Sequence, residues 1–308
     1  MTDARFETVC LRDEDAQLEA TFVPGAGMIC ASLRHRGEEL LAQNAGVAAY
    51  AEQGKTMGVP LLYPWANRLA GFEYSVAERT VAVPHDPTRV ALDANGLPIH
   101  GVIGGRLAWE ASAIPGDDAD ALLARLSWDE SRPERFEVFP FRHELEYAAR
   151  LAGSRLEVKL TVHASGTDVV PLAFGFHPYV LLPGVPREQW LVEFPPMRRL
   201  MLDLEGIPVG AEQMLPGRHF ELDRRQFDDG FDCLEEPAGF AVSARGRRIS
   251  LEFLEGYTCA QVFAPADKQF ICFEPMAAPT NALRSGDGLR LLSPGECHSA
   301  AFVLTVED

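Results

Sequence analysis

Arg155-Leu156-Glu157-Val158-Lys159-Leu160-Thr161-Val162-His163 sets leucine or valine at every second position, with charged or polar residues between them. Successive side chains of an extended chain point to opposite faces, so the stretch reads as a half-buried strand with Leu156, Val158, Leu160 and Val162 on its core side. The same period recurs more briefly in His143 to Tyr147 and Ile249 to Phe253, and Ala301 to Val306 offers an apolar terminal strand. Upstream, Gln17 to Phe22 alternates and runs into the turn Pro24-Gly25-Ala26-Gly27. Met28 to Leu33 reads as the next strand, and Gly37 marks a turn before Leu40-Leu41. Weak helical character is confined to Val47 to Gly54 in the first third of the chain, and long amphipathic helices are absent. The 26 glycines and 22 prolines are spread along the chain rather than gathered in a linker. Many short strands with frequent turns predict an all-β fold, a large and mostly antiparallel β-sandwich or related barrel with few short helices. No fixed-period repeat or low-complexity segment interrupts it, and the simplest organisation is a single domain over residues 1–308.

Composition narrows the function class. A net charge of -17 disfavours nucleic acid, whose binding draws on Lys and Arg neutralising phosphates. The N-terminal residues Met1-Thr2-Asp3-Ala4-Arg5-Phe6-Glu7 are polar and precede no signal-like apolar run. No stretch approaches the ~20 apolar residues of a membrane span, so a cytoplasmic protein without a membrane partner is expected. The six cysteines (Cys10, Cys30, Cys233, Cys259, Cys272 and Cys297) never form a C-x-x-C pair. They are expected to be buried free thiols, with neither a metal site nor a redox motif.

Several stretches depart from ordinary strand and turn composition. Ala173-Phe174-Gly175-Phe176-His177-Pro178-Tyr179 sets a histidine among aromatics, where it is either a satisfied core residue or a titrating group on a rigid apolar wall. Gly58 to Gly71 is an apolar run whose prolines exclude a helix and a central strand. It ends in Asn67-Arg68, and the arginine is either solvated or a fixed fork at a pocket mouth. Asn95 to Gly105 is glycine-rich and carries His100, without the spacing of a phosphate loop. Phe227-Asp228-Asp229-Gly230-Phe231-Asp232 reads as an acidic turn with a metal-like cluster as the alternative. In Phe270-Ile271-Cys272-Phe273-Glu274-Pro275 a carboxylate closes an apolar strand, which costs desolvation unless Glu274 meets solvent, a ligand or a partner.

Taken in order, these stretches resemble the aldose 1-epimerase (mutarotase) family over nearly the whole chain. Gly25-Ala26-Gly27 through Leu41 is similar to the family's opening hairpin, Tyr63-Pro64-Trp65-Ala66-Asn67-Arg68 to its P-x-x-N-R element and Ile99-His100-Gly101 to its H-G element. Phe176-His177-Pro178-Tyr179 resembles the segment with the second active-site histidine, Phe227-Asp228 the one with the sugar-binding aspartate, and Cys272-Phe273-Glu274-Pro275 the one with the catalytic glutamate. The resemblance implies the galactose mutarotase-like β-sandwich and interconversion of the α and β anomers of a free aldose through its open-chain aldehyde, with no metal or organic cofactor.

By that resemblance Glu274 is the base and His177, as imidazolium, the acid that protonates the ring oxygen. The two act from different sides of the substrate. His100 stabilises developing charge, Arg68 and Asp228 fix sugar hydroxyls, Asn67 braces the Arg68 loop, and Gln261 is a further hydroxyl contact. Trp65 and Tyr179 either offer a ring face to the sugar or belong to the core. Pro178-Tyr179 and Glu274-Pro275 depart from the pattern of many galactose mutarotases, which leaves the sugar open. A hexose 6-phosphate would call for added cations such as Arg198-Arg199 or Arg224-Arg225. The alternatives are a non-catalytic sugar sensor of the same fold and a glycosidase or lyase pairing Glu274 with Asp228.

Overall fold

The computed structural model describes residues 5–114 and 120–308, so residues 1–4 of the polar N-terminal reading lie outside the described residues. Most of the chain is antiparallel strand, with short helices at Gly46–Gln53, Pro133–Phe136 and Ala282–Ser285. The first of these coincides with the weak helical signal, and it stops at Gly54, whose φ of +71° closes the helix in the left-handed conformation.

Two large sheets dominate. The nine-stranded sheet contains, in spatial order, Glu110–Ile114, Asp120–Trp128, His143–Ala152, Arg155–Ala164, Cys297–Glu307, Arg247–Glu255, Ala238–Ala244, Leu191–Phe194 and Arg218–Glu221. Arg155–Ala164 behaves as its alternation demands, burying Leu156, Val158, Leu160 and Val162 while the residues between them stay half-exposed. The second sheet runs Pro208–Leu215, Met197–Leu202, Phe227–Asp232, Cys259–Ala264, Ile271–Met276, Gly175–Phe176, Leu61–Leu62, with Tyr179–Val180 also pairing to Ile271–Met276. A smaller sheet of Val9–Asp13, Leu18–Val23, Ile29–His35 and Glu38–Glu39 carries the expected opening hairpin.

Aromatic side chains from the facing sheets meet in the core. Phe176 packs on Phe302 at 5.1 Å and Phe240 on Phe273 at 5.3 Å between ring centroids. Each fully buried side chain of this size contributes about 1.5–3 kcal/mol of transfer free energy, so the shared core holds the two sheets face to face. The fold is therefore the all-β sandwich that the alternation implies.

Two expectations are corrected. Phe227–Asp232 is a strand inside the second sheet, paired with Cys259–Ala264, rather than an acidic turn. Its carboxylates do not break the strand because each meets a partner: Asp229 takes Arg199, Asp232 takes Arg198, and Asp228 accepts from Gln261. The cysteines are all free, but Cys233 and Cys297 are exposed, since one follows and the other begins a strand near a loop. Among the described residues no helix is long and apolar enough to cross a membrane.

Candidate active site

Three neighbouring strands of the second sheet aim their polar side chains to one face. Gln261 stands opposite both Glu274 and Gly230, and Asp228 stands opposite Phe263. With a period of two, Asp228, Gln261 and Glu274 therefore share a face, while Ala260, Val262 and Phe273 turn into the core. Glu274 is 1% exposed, Gln261 is buried, and Asp228 is exposed, so the row climbs from the interior to the surface.

His177 enters from the side. It lies in the break between Gly175–Phe176 and Tyr179–Val180, held by its amide donating to the Pro60 carbonyl at 3.1 Å. Its Nε2 sits 3.3 Å from Glu274 Oε1 and 3.3 Å from the Tyr179 hydroxyl, and its ring stacks on Tyr179 at 4.3 Å. Phe263 closes the other side at 5.9 Å. The residue is 5% exposed, yet its Nδ1 has no hydrogen-bond partner, and neither has Glu274 Oε2.

His143 shows what a satisfied histidine looks like in this protein. Its Nδ1–H donates to the Phe141 carbonyl at 2.7 Å and its Nε2 accepts from the Tyr63 hydroxyl at 2.6 Å. Unlike His143, His177 and Glu274 thus each keep unused hydrogen-bonding capacity.

The Gly58 to Gly71 run and the strand Pro98–Val102 supply the remaining groups side by side. The His100 amide donates to the Asn67 carbonyl at 2.9 Å, and the Asn67 amide donates back to His100 Nδ1 at 3.2 Å. That second bond leaves the His100 ring proton on Nε2, a free donor. The His100 ring stands edge-on to His177 at 5.7 Å. The close approach of the two segments requires glycine at 101, where φ is +72° and a Cβ would lie 2.2 Å from the Tyr63 carbonyl oxygen.

Arg68 is clamped by Asp93, at 2.8 Å from Nε, and reaches Asp228 at 3.5 Å. The turn at Gly206 backs its guanidinium, and from Arg68 and Asp228 a groove of about 500 Å³ opens outward past Asn95 and Arg199. Asn67 is buried and turns its Nδ2 to Met276 Sδ at 3.7 Å, a bracing position.

Burial works against charge on both members of the pair. Burial drives Glu274 well above the usual carboxylate range; the Asp228 charge adds to this and Arg68 opposes it. Burial, and then the neighbouring His100, drive His177 well below its usual value. Both directions oppose the charged forms, a carboxylate beside an imidazolium. The 3.3 Å separation is longer than the 2.7–2.9 Å typical of charge-assisted bonds, which agrees. His100 is pushed down to about 3 by desolvation and by Arg68, although part of the residue reaches solvent.

All seven residues singled out in the sequence converge here. Trp65 does not: it is buried against Tyr74 in the core. Tyr179 touches His177 by both its ring and its hydroxyl. Sequence reasoning missed Asp93, the anchor of Arg68. Its signal was the turn Asp93-Ala94-Asn95-Gly96, in which Oδ1 accepts from the amides of Asn95 and Leu97 while Oδ2 is left for the arginine. The polar set can pass protons through the Glu274–His177 pair and hold hydroxyls with Gln261, Arg68 and Asp228.

Comparison with known proteins agrees with the fold. The chain matches the model of the aldose 1-epimerase family over residues 8–305. It is 27% identical to the uncharacterized Escherichia coli protein YphB over 268 residues, 80% of this chain and 82% of that one. Among solved structures it is similar to a galactose mutarotase-like protein from Clostridium acetobutylicum, with a TM-score of 0.81, 16% identity, and 98% and 99% of the two chains covered. It is likewise similar to galactose 1-epimerase from Lactobacillus acidophilus, with a TM-score of 0.77, 14% identity, and 100% and 96% covered.

Proposed function

Because the chain belongs to the aldose 1-epimerase family, we propose that it interconverts the α and β anomers of a free aldose and that residues 1–308 act as one catalytic unit. The observation that carries this reading is the buried Glu274–His177 pair, 3.3 Å apart, with an unpartnered oxygen on one member and an unpartnered nitrogen on the other.

Ring opening removes the proton from the C1 hydroxyl, moves that electron pair into a C1 carbonyl, breaks the bond from C1 to the ring oxygen and delivers a proton to that oxygen. The two oxygens are bonded to the same carbon, so a base and an acid that lie side by side can serve both. The pair holds one proton and one vacancy, which is what a concerted exchange uses. With Glu274 as base and His177 as acid, the proton first crosses their contact to give the carboxylate and the imidazolium. Rotation about the C1–C2 bond then presents the other aldehyde face, and the same groups reverse their roles.

His100 Nε2–H donates toward the ring oxygen and stabilises the charge that develops there. Arg68 donates to and Asp228 accepts from hydroxyls, Gln261 adds a contact between them, and Asn67 holds the Arg68 loop. Two of the cations that a phosphate would call for are already paired with carboxylates, which favours a neutral sugar. Arg198 is held by Asp232 at 2.7 Å, and Arg199 by Asp229 and Glu212.

Polarimetry on freshly dissolved α-anomers of several aldoses, with the buffer rate subtracted, tests the reading. Acceleration for at least one aldose supports it. Sugar binding without acceleration of any would replace it with a sugar sensor of the same fold.

A further inference from the structure

A histidine that carries a proton to one atom of a substrate has to be held in one orientation, and hydrogen bonds at its ring nitrogens commonly do this. His143 is held in that way at both nitrogens. His177 is not: its Nδ1 has no partner, and its Nε2 faces Glu274 at 3.3 Å. The plane of its ring is set instead by a stack. Tyr179 lies over it with 4.3 Å between centroids and 3° between planes, whereas Phe263 and His100 meet it edge to face at 5.9 and 5.7 Å.

The Tyr179 hydroxyl, 3.3 Å from His177 Nε2, does not stand in for the missing bond. In two nearly parallel stacked rings it lies above the imidazole, while the lone pair or proton of Nε2 points along the imidazole plane. Nε2 therefore stays free for a partner in that plane. The short bond of the hydroxyl is to Thr56 Oγ1, at 2.5 Å.

Tyr179 is fixed at its backbone, its ring and its hydroxyl. Its amide donates to the Gly58 carbonyl at 2.9 Å, its carbonyl accepts from the Ala42 amide at 2.8 Å, and Phe270 packs edge-on against its ring at 5.0 Å. Burial holds the phenol well above its ordinary range, so the ring is neutral. His177 thus rests on a rigid, uncharged aromatic face.

Such a face carries partial negative charge and attracts a cation within about 6 Å of its centroid, most strongly where water is excluded. In the proposed cycle His177 becomes an imidazolium before it gives its proton to the ring oxygen of the sugar. Burial and the neighbouring His100 oppose that charge. Among the described residues the titratable groups in contact with His177 are Glu274, His100 and Tyr179. Of these, the Glu274 carboxylate and the Tyr179 face favour the cation.

We propose that Tyr179 is a positioning residue for the reaction: its ring, fixed by Thr56 and Phe270, holds His177 in one plane and stabilises the imidazolium through which the proton passes. The inference rests on His177 acting as the acid of a mutarotase.

Polarimetric kcat and KM of variants at position 179 test it. Tyr179→Phe keeps the face and should retain kcat within about threefold. Tyr179→Leu removes the face and should lower kcat by about tenfold or more, with KM within about threefold because the groups that hold sugar hydroxyls are untouched. Phenylalanines carrying one, two and three ring fluorines, placed at 179, keep the shape while weakening the negative face. Along that series kcat should fall stepwise with KM and the unfolding midpoint unchanged, a response that filling space alone does not produce and that is read even if Tyr179→Leu fails to fold. A kcat that stays flat along the fluorinated series overturns the inference. So does a loss in Tyr179→Phe as large as in Tyr179→Leu, which would make the hydroxyl the working group. Activity that disappears in His177→Gln but ignores every change at 179 removes this inference alone, whereas activity unchanged in His177→Gln removes the reading beneath it.

Discussion

Replacing Glu274 by Gln separates chemistry from architecture. The side chain is buried in the middle of a sheet, and among the described residues its only polar contact is His177 Nε2. If the resting residue is a neutral acid donating to a neutral imidazole, the amide of Gln can donate to the same nitrogen at the same distance. The folded state then loses less than about 1 kcal/mol, the net worth of an ordinary hydrogen bond. The proton vacancy is what disappears, because an amide neither accepts the C1 proton nor returns it. A positioned acid–base group is worth about 10²–10⁴ in rate, or about 2.7–5.5 kcal/mol of barrier at 1.36 kcal/mol per decade. Arg68, Asp228 and Gln261 are untouched, so KM should stay within about threefold while kcat collapses. Polarimetry gives the rate and thermal unfolding the stability. Activity retained within an order of magnitude would remove Glu274 from the reaction. A loss of about 3–5 kcal/mol in stability would show instead that the variant strands a buried imidazolium, and would refute the neutral pair.

Other consequences can be measured alongside. The pair works with one proton between its two members: at low pH His177 also takes a proton, and at high pH Glu274 gives its proton up. Because His177 is lowered and Glu274 raised, the buffer-corrected rate should show a wide plateau, falling on the acid side only below the ordinary histidine range and on the alkaline side only well above the ordinary carboxylate range. A narrow bell centred between ordinary Glu and His values would contradict it. Arg68→Ala should raise KM by about tenfold or more, since Asp228 loses a neighbour and Asp93 is left buried without its guanidinium; an unchanged KM would place the sugar elsewhere. Gly101→Ala forces a Cβ to within 2.2 Å of the Tyr63 carbonyl oxygen at a φ of +72° and should cost about 2 kcal/mol or more by denaturant unfolding.

The sandwich was legible because its strands are half-buried and so carry a period of two, which Arg155–Ala164 shows without exception. Phe227–Asp232 was misread because three aspartates in six residues look like a solvated turn. The arginines that neutralise Asp229 and Asp232 lie about 30 residues away in sequence, and no local rule reaches them. The site residues were found through their resemblance to a family pattern, whereas Asp93 stayed hidden inside an ordinary turn. Cys233 and Cys297 show the same limit: exposure is set by the position of a strand end, not by the residue.

The protonation of the Glu274–His177 pair could not be read from residue types, since Glu and His side by side suggest a carboxylate and an imidazolium. Tertiary structure reverses this by burying both and giving neither the two or three hydrogen bonds that a buried carboxylate needs to stay ionised. The reversal does not disable the chemistry. Moving one proton across 3.3 Å converts the neutral pair into the charged one with no change in proton count, and an arriving sugar presents a donor and an acceptor on the same carbon to the two vacant atoms. In the proposed cycle Glu274 then takes the C1 proton and His177 gives one to the ring oxygen, so the pair returns to its uncharged form as the ring opens. Infrared spectroscopy of the sugar-free protein at neutral pH follows directly: a carboxylic acid band that disappears in Glu274→Gln is expected, and a carboxylate band lost in its place would return the resting state to the ion pair.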